Sequence, residues 1–256
     1  MIWKKRLKVY WGNNRANLSS LFFLIKNLSL AKNLSLPPIM QFIYYQDQYC
    51  YYLWKPAGIP SSFGKEKSFL DMMIEEKAKY PFIQSLYAFF WEEGELGLMN
   101  RLDNDTSWLL YFAKNPAVKK KFKELQSEFM IHKYYLAEVY GDIRAFLKKG
   151  KNLIDYPIMH HKFSSDRMVA IKTSNDEKKG KGRKHCLVTK IVDFVFLETT
   201  NTSVLLIEIQ KGIRHQIRLH LSSIGYPICG DLLYCKASHQ EQKLQLFSIG
   251  VKVDEI

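Results

Sequence analysis

The chain has 256 residues, 47% of them hydrophobic, and a formal net charge of +13 at pH 7. Its length fits one large domain, or one domain with a small extension, and no apolar run approaches the roughly 20 residues that span a bilayer. The apolar stretch near the N-terminus is interrupted by Lys26 and has no small-residue cleavage pattern, which argues against a signal peptide. The four cysteines are too sparse for a disulfide framework and are not spaced like zinc ligands, so we expect reduced thiols in the cytoplasm. The positive charge favours a polyanionic partner, because each neutralised phosphate releases counterions.

The first predicted boundary is a Leu-Pro-Pro-Ile linker that closes residues 1–38. Those residues show no clean period, so we expect an N-terminal extension there and one domain over residues 39–256. Two strands are predicted around the Gln-Asp-Gln turn at residues 46–48. A Lys-Pro-x-Gly turn and a partly helical stretch over residues 66–82 follow.

A short strand over residues 108–115 is predicted to lead into a helix that Asn115 caps, with Pro116 at its first position. An apolar stripe at helical spacing is expected to face the core. A run of lysines falls mostly on the other faces, where it is either solvated or in contact with an RNA backbone. The stripe consists of Val118, Phe122, Leu125 and Phe129, and the lysines are Lys119, Lys120, Lys121 and Lys123.

The second half of the chain mixes strand and helix patterns. Residues 133–141 alternate like a strand, and residues 172–185 are polar and predicted to form an exposed loop or hairpin. A strand over residues 202–212 precedes a helix over residues 213–225, closed by Gly225. Strands and helices do not alternate strictly, which favours an α+β fold over a doubly wound sheet.

Two carboxylates, Asp103 and Asp105, lie two positions apart in the stretch MNRLDNDTSWLL, residues 99–110. A lone aspartate of this kind is most often a turn residue, and Asp105 is interpreted as one. A pair of carboxylates also suggests a retaining glycoside hydrolase, but that chemistry needs a second acid on a facing element.

Four stretches in order, residues 52–62, 100–115, 133–141 and 211–234, resemble the RluA-type pseudouridine synthase family. The resemblance implies the pseudouridine synthase fold, a long, mostly antiparallel sheet with flanking helices and a central RNA-binding cleft. It implies isomerisation of uridine to pseudouridine in structured RNA, either rRNA or tRNA, without a cofactor. A monomer is expected, with no membrane partner.

The resemblance also assigns site residues. Asp103 matches the catalytic aspartate, and Tyr135 matches the tyrosine that stacks on the uracil or deprotonates it. Arg218 matches the arginine that pairs with that aspartate and keeps it ionised. Six further residues are expected to contact RNA: Arg101, Lys55, Lys133, Arg214, His215 and Gln216. No group of histidines and cysteines has metal-ligand spacing, so no metal is expected.

Three departures from the family pattern bear on function. Asn100 stands where histidine is usual, and Arg214 is displaced by one place, four residues before Arg218 and so on nearly the same face of the expected helix. Trp108 replaces a glycine, a residue that permits positive φ and close backbone approach. The indole either crowds the pocket, narrows the range of substrates or marks a weakened enzyme, so a catalytically weakened RNA-binding protein of the same fold is the alternative function.

Overall fold

A computed structural model of the chain describes residues 43–148, 150–235 and 243–254. The chain divides into two units. Unit 1 includes residues 43–131 and 247–254 of the described chain, and unit 2 includes residues 132–148, 150–235 and 243–246. The predicted boundary near residue 38 lies outside the described residues.

Unit 1 is built on strands β1 (Ile43–Gln46), β2 (Cys50–Lys55), β3 (Ser107–Ala113) and β11 (Leu246–Val253), in the sheet order β1-β2-β3-β11. The first three strands are antiparallel, and β11 runs parallel to β3. The Asp47 carboxylate accepts hydrogen bonds of 2.7 Å from two backbone N–H groups of the turn that follows it. This Asx-type turn joins β1 to β2, so the predicted pair of strands is confirmed.

Helices α1 (Phe69–Glu75), α2 (Pro81–Phe90) and α3 (Pro116–Ser127) complete unit 1, with a 3-10 turn at Lys77–Lys79 between the first two. Asn115 caps α3 as predicted, and its side chain accepts a hydrogen bond from a backbone N–H of the first turn. Such a cap contributes about 1 kcal/mol.

The predicted apolar stripe of α3 is correct only in part. Phe122 and Leu125 are buried, with Val118 packed against the same cluster. Phe129 lies beyond the end of the helix with a φ of 62° and is 49% exposed, so its place in the core was wrong. Lys119 is only 5% exposed, because its ammonium pairs with a carboxylate oxygen of Glu93 at 2.5 Å.

Unit 2 holds an antiparallel sheet of β4 (Ile131–Tyr140), β10 (Thr202–Ile209), β9 (Thr189–Leu197) and β5 (Leu153–Ile154), in that order. The predicted alternation of β4 is confirmed, and the short helix α4 (Arg144–Leu147) follows it.

A smaller antiparallel sheet contains β6 (Ile158–His161) between β7 (Met168–Ala170) and β8 (Gly180–His185). The polar stretch before and within β8 is more ordered than predicted, because residues Ser174–Lys179 form helix α5. A capping box between Thr173 and Asp176 starts that helix.

Helix α6 spans Gln216–Ser223 and is therefore shorter than predicted. Gly225 follows it with a φ of 90°, as expected for a helix C-terminus. Arg214 precedes the helix and does not share a helix face with Arg218, so that prediction was wrong. The α+β class is confirmed by sheets that are mostly antiparallel and by flanking helices.

Candidate functional site

The loop that carries Asp103 is held by hydrogen bonds to its neighbours. The Ser61 hydroxyl donates to the Leu102 carbonyl at 2.9 Å and accepts from the Leu102 N–H at 3.0 Å. The Asp103 carbonyl accepts from the Thr106 N–H at 3.0 Å, which closes a tight turn just before β3. Asp103 itself remains partly exposed. A rigid backbone therefore presents this carboxylate at the end of a strand.

Lys55 also holds the loop that carries Asp103. Its ammonium donates to the carbonyls of Pro56 at 2.8 Å, Ile59 at 2.7 Å and Asn104 at 2.9 Å. The residue is completely buried, and burial lowers its pKa to about 8, against the opposing effect of the carboxylates of Asp105 and Asp103. All three N–H groups of the ammonium are used within the protein, and the RNA contact of Lys55 stays a prediction.

Asn100 and Arg101 precede the loop. The Asn100 amide donates to the Leu109 carbonyl at 3.2 Å, and its side-chain oxygen accepts from the Tyr111 N–H at 2.9 Å, so Asn100 anchors the loop to β3. Arg101 is exposed and forms an ion pair with Glu95. An RNA contact of Arg101 stays a prediction that its exposure permits.

Tyr135 and Lys133 lie on β4 in unit 2, facing Ile207 and Ile209 of β10. Tyr135 is 7% exposed and Lys133 is 8% exposed. Burial lowers the pKa of Lys133 to about 8.

Arg218 forms a buried bidentate ion pair with Asp231. Its Nε donates to Oδ2 at 2.9 Å and its Nη2 to Oδ1 at 2.8 Å, with side chains 4% and 1% exposed. The Asp231 carboxylate also accepts from the N–H groups of Leu233 and Tyr234. Sequence reasoning missed Asp231, whose only signal was an acid in the Gly-Asp-Leu-Leu-Tyr run at residues 230–234. Asp103 belongs to unit 1 and Arg218 to unit 2, and their predicted ion pair stays a prediction.

Three further residues predicted to contact RNA lie at or near the start of α6, and two of them are buried and hydrogen-bonded within the protein. His215 is 6% exposed and shares a hydrogen bond of 2.9 Å between Nδ1 and the Tyr234 hydroxyl. Gln216 is 2% exposed and donates to the Val188 carbonyl at 3.0 Å. Both side chains are hydrogen-bonded within unit 2, and their RNA contacts stay predictions. Arg214 is exposed, donates to the Ser165 carbonyl and stays a candidate.

No three metal-ligating side chains converge within the described parts of the chain. Among the same residues, no helix has the length and hydropathy needed to cross a membrane.

A model of RNA pseudouridylate synthases matches residues 49–223. The chain belongs to the RNA pseudouridylate synthase family. It is 26% identical over 199 residues to ribosomal large subunit pseudouridine synthase D of Nitrosomonas europaea, covering 77% of this chain and 50% of the relative. It is 25% identical to dual-specificity RNA pseudouridine synthase RluA of Vibrio vulnificus, covering 76% of this chain and 69% of the relative. The chain spans about half to two thirds of the length of the ribosomal relatives it matches.

A solved structure has the same fold. Human RNA pseudouridylate synthase domain containing 1 superposes with a TM-score of 0.61 at 18% identity, covering 84% of this chain and 79% of its own. The pseudouridine synthase fold expected from the sequence is therefore confirmed.

Trp108 keeps the backbone conformation expected of the family's glycine. Its φ is 86°, in the region that glycine adopts most readily. The indole is only 7% exposed and packs between Trp54, at 4.9 Å between ring centroids, and Phe247, at 4.6 Å. A row of three aromatic rings within unit 1 therefore accounts for this residue.

We expect Trp108→Ala to destabilise the protein by about 3 kcal/mol, because it removes the central ring but keeps the positive φ. Trp108→Gly removes the same ring and relieves the backbone, so it should be more stable than the alanine variant by about 1 kcal/mol. Urea denaturation of both variants measures the difference. Equal stabilities would show that the backbone at residue 108 carries no strain.

Proposed function

We propose that the chain isomerises uridine to pseudouridine in structured RNA, either rRNA or tRNA, as a cytoplasmic monomer. The family match over residues 49–223 is the observation that carries this proposal. The charge of +13 supports an RNA substrate, since cationic side chains neutralise phosphates. The names of the relatives include both a ribosomal and a dual-specificity enzyme, which supports these two substrate classes.

In the proposed mechanism, Asp103 acts at the sugar carbon of a uridine turned out of its stack. Its carboxylate either attacks that carbon or stabilises the positive charge that develops there as the glycosidic carbon–nitrogen bond breaks. The uracil then turns and its carbon 5 bonds to the sugar carbon, which releases the Asp103 carboxylate where it had bonded there. The proton on carbon 5 leaves and N1 takes up a proton, so the product is an isomer of uridine. The loop fixed by Lys55 and Ser61 supports this role, because a held carboxylate needs little reorganisation to reach its target.

Tyr135 is proposed to stack on the uracil or to accept the proton from its carbon 5. Arg218 is proposed to keep Asp103 ionised in a desolvated site, because a nearby guanidinium lowers a carboxyl pKa. The two hydrogen bonds that Arg218 donates to Asp231 support this assignment, since they hold the guanidinium in one orientation.

The test is a map of pseudouridine in total RNA from cells with and without the gene, by carbodiimide-based sequencing. We expect one or a few sites to vanish on deletion and to return when the wild-type gene is restored. Sites that persist in the deletion strain would contradict the proposal. Persistence together with RNA binding by the purified protein would favour the non-catalytic alternative.

A further inference from the structure

Lys133 lies two residues before Tyr135 on β4. Side chains at alternate positions of a strand share a face, so the two residues point to the same side of the sheet. Both are more than nine-tenths buried, and their partners on β10, Ile209 and Ile207, are buried and apolar. Most of the Lys133 side chain therefore lies in apolar surroundings, on the face of β4 that carries the tyrosine assigned to the uracil.

The other buried cations of the described chain all have partners. Lys55 donates to three carbonyls, Lys119 pairs with Glu93, and Arg218 pairs with Asp231. The Lys133 ammonium, by contrast, has no hydrogen-bond or ion-pair partner among the described residues.

Burial without a partner penalises the charged form and is the cause of the lowered pKa of Lys133. At neutral pH the ammonium is still mostly protonated, because its pKa is about 8. A buried, unpaired charge destabilises a fold, so packing alone does not explain a lysine at this position.

We infer that the Lys133 ammonium binds a backbone phosphate of the RNA strand that places its uridine against Tyr135. A phosphate supplies the full negative charge that a desolvated ammonium needs, whereas a uracil carbonyl supplies only a dipole. The inference rests on the proposed function, because it takes RNA as the ligand. It gives Lys133 a role in binding the strand, separate from the chemistry assigned to Asp103.

The test compares Lys133→Met with Lys133→Arg by fluorescence anisotropy, using a short labelled oligouridine over a series of salt concentrations. The methionine variant keeps the apolar stem and removes the charge, so we expect its affinity to fall about tenfold at low salt. The slope of log Kd against log salt should decrease by about 0.7, the value for one phosphate contact on a single strand. The arginine variant keeps the charge and should retain most of the affinity and the slope.

Lys190→Met is the matched control. Lys190 lies on β9 in the same unit, is 44% exposed and already has a carboxylate of Glu208 at 3.6 Å. The same chemical change there should leave both the affinity and the slope close to the wild-type values. An equal loss in the control would assign the effect to total charge and overturn the inference.

Thermal unfolding separates binding from folding. Because Lys133→Met removes an unpaired buried charge, we expect its Tm to rise by several degrees. A lower Tm of Lys133→Met would show that the ammonium stabilises the fold and would overturn the inference. Wild-type affinity of this variant, or a loss of affinity without a change in the salt slope, would also overturn it. Pseudouridine formation by the wild type is measured separately by mass spectrometry. If none forms, the proposed function fails, whereas a loss of oligouridine binding specific to Lys133→Met still supports the phosphate contact.

Discussion

Replacing Asp103 by asparagine is expected to lower the rate of pseudouridine formation by at least about a thousandfold. The amide has nearly the shape of the carboxylate but lacks its charge, so it neither attacks the sugar carbon nor stabilises positive charge there. The free energy of unfolding should change by less than about 1 kcal/mol, because the side chain is partly exposed and other residues hold its loop. The rate is measured with purified protein on RNA that carries the mapped uridine.

Asp105→Asn is the control for this experiment. Asp105 lies two residues away in the same loop and is exposed. Its replacement by asparagine changes the net charge by the same amount as Asp103→Asn. Its activity should stay close to that of the wild type. Full activity in a folded Asp103→Asn protein would exclude the mechanism proposed for this carboxylate, and an equal loss in both variants would show that the loss is not specific to Asp103.

Local patterns predicted most of the elements correctly. The cap at Asn115 depends on residues within one turn, and the alternation of β4 depends on residues two apart. Signals of this kind are contained in the sequence near each element, because the N–H groups to be capped and the face to be buried belong to the same segment.

The sequence is least informative where a side chain finds its partner far along the chain. One acceptor of the Lys55 ammonium is the carbonyl of Asn104, 49 residues away. Lys119 belongs to a run of lysines that falls mostly on the polar faces of its helix, yet its side chain is buried. Its ammonium pairs with Glu93, 26 residues earlier. The sequence shows that a cation is present, but only the tertiary structure shows whether its charge is used inside the protein.

The internal hydrogen bonds of Lys55 give its motif a structural role. The Lys-Pro-x-Gly segment and Ser61 together hold the backbone on both sides of Asp103. The segment therefore supports the proposed chemistry through the position of the acid.

The buried ion pair between Arg218 and Asp231 stabilises the fold only when both partners are present. Asp231→Ala is therefore expected to lower the free energy of unfolding by about 3 to 5 kcal/mol. The substitution leaves a buried guanidinium without the carboxylate that accepts two of its hydrogen bonds, and removes the acceptor for the Leu233 and Tyr234 N–H groups. Urea denaturation measures the change. Asp142→Ala is the matched control, because Asp142 forms a bidentate pair with Arg144 that is exposed to solvent. That variant should lose much less free energy of unfolding than Asp231→Ala, because it removes an exposed pair and one hydrogen bond from the Arg144 N–H.

A double variant separates the stability of this pair from its function. Arg218→Met with Asp231→Leu removes both buried charges, so we expect it to be more stable than Asp231→Ala, since neither charge remains unpaired. It should nevertheless form no pseudouridine, because the guanidinium proposed to keep Asp103 ionised is absent. An active double variant would show that Arg218 serves the fold alone. A stable but inactive one would show that this buried pair is retained for the reaction, at a cost in stability that apolar side chains would avoid.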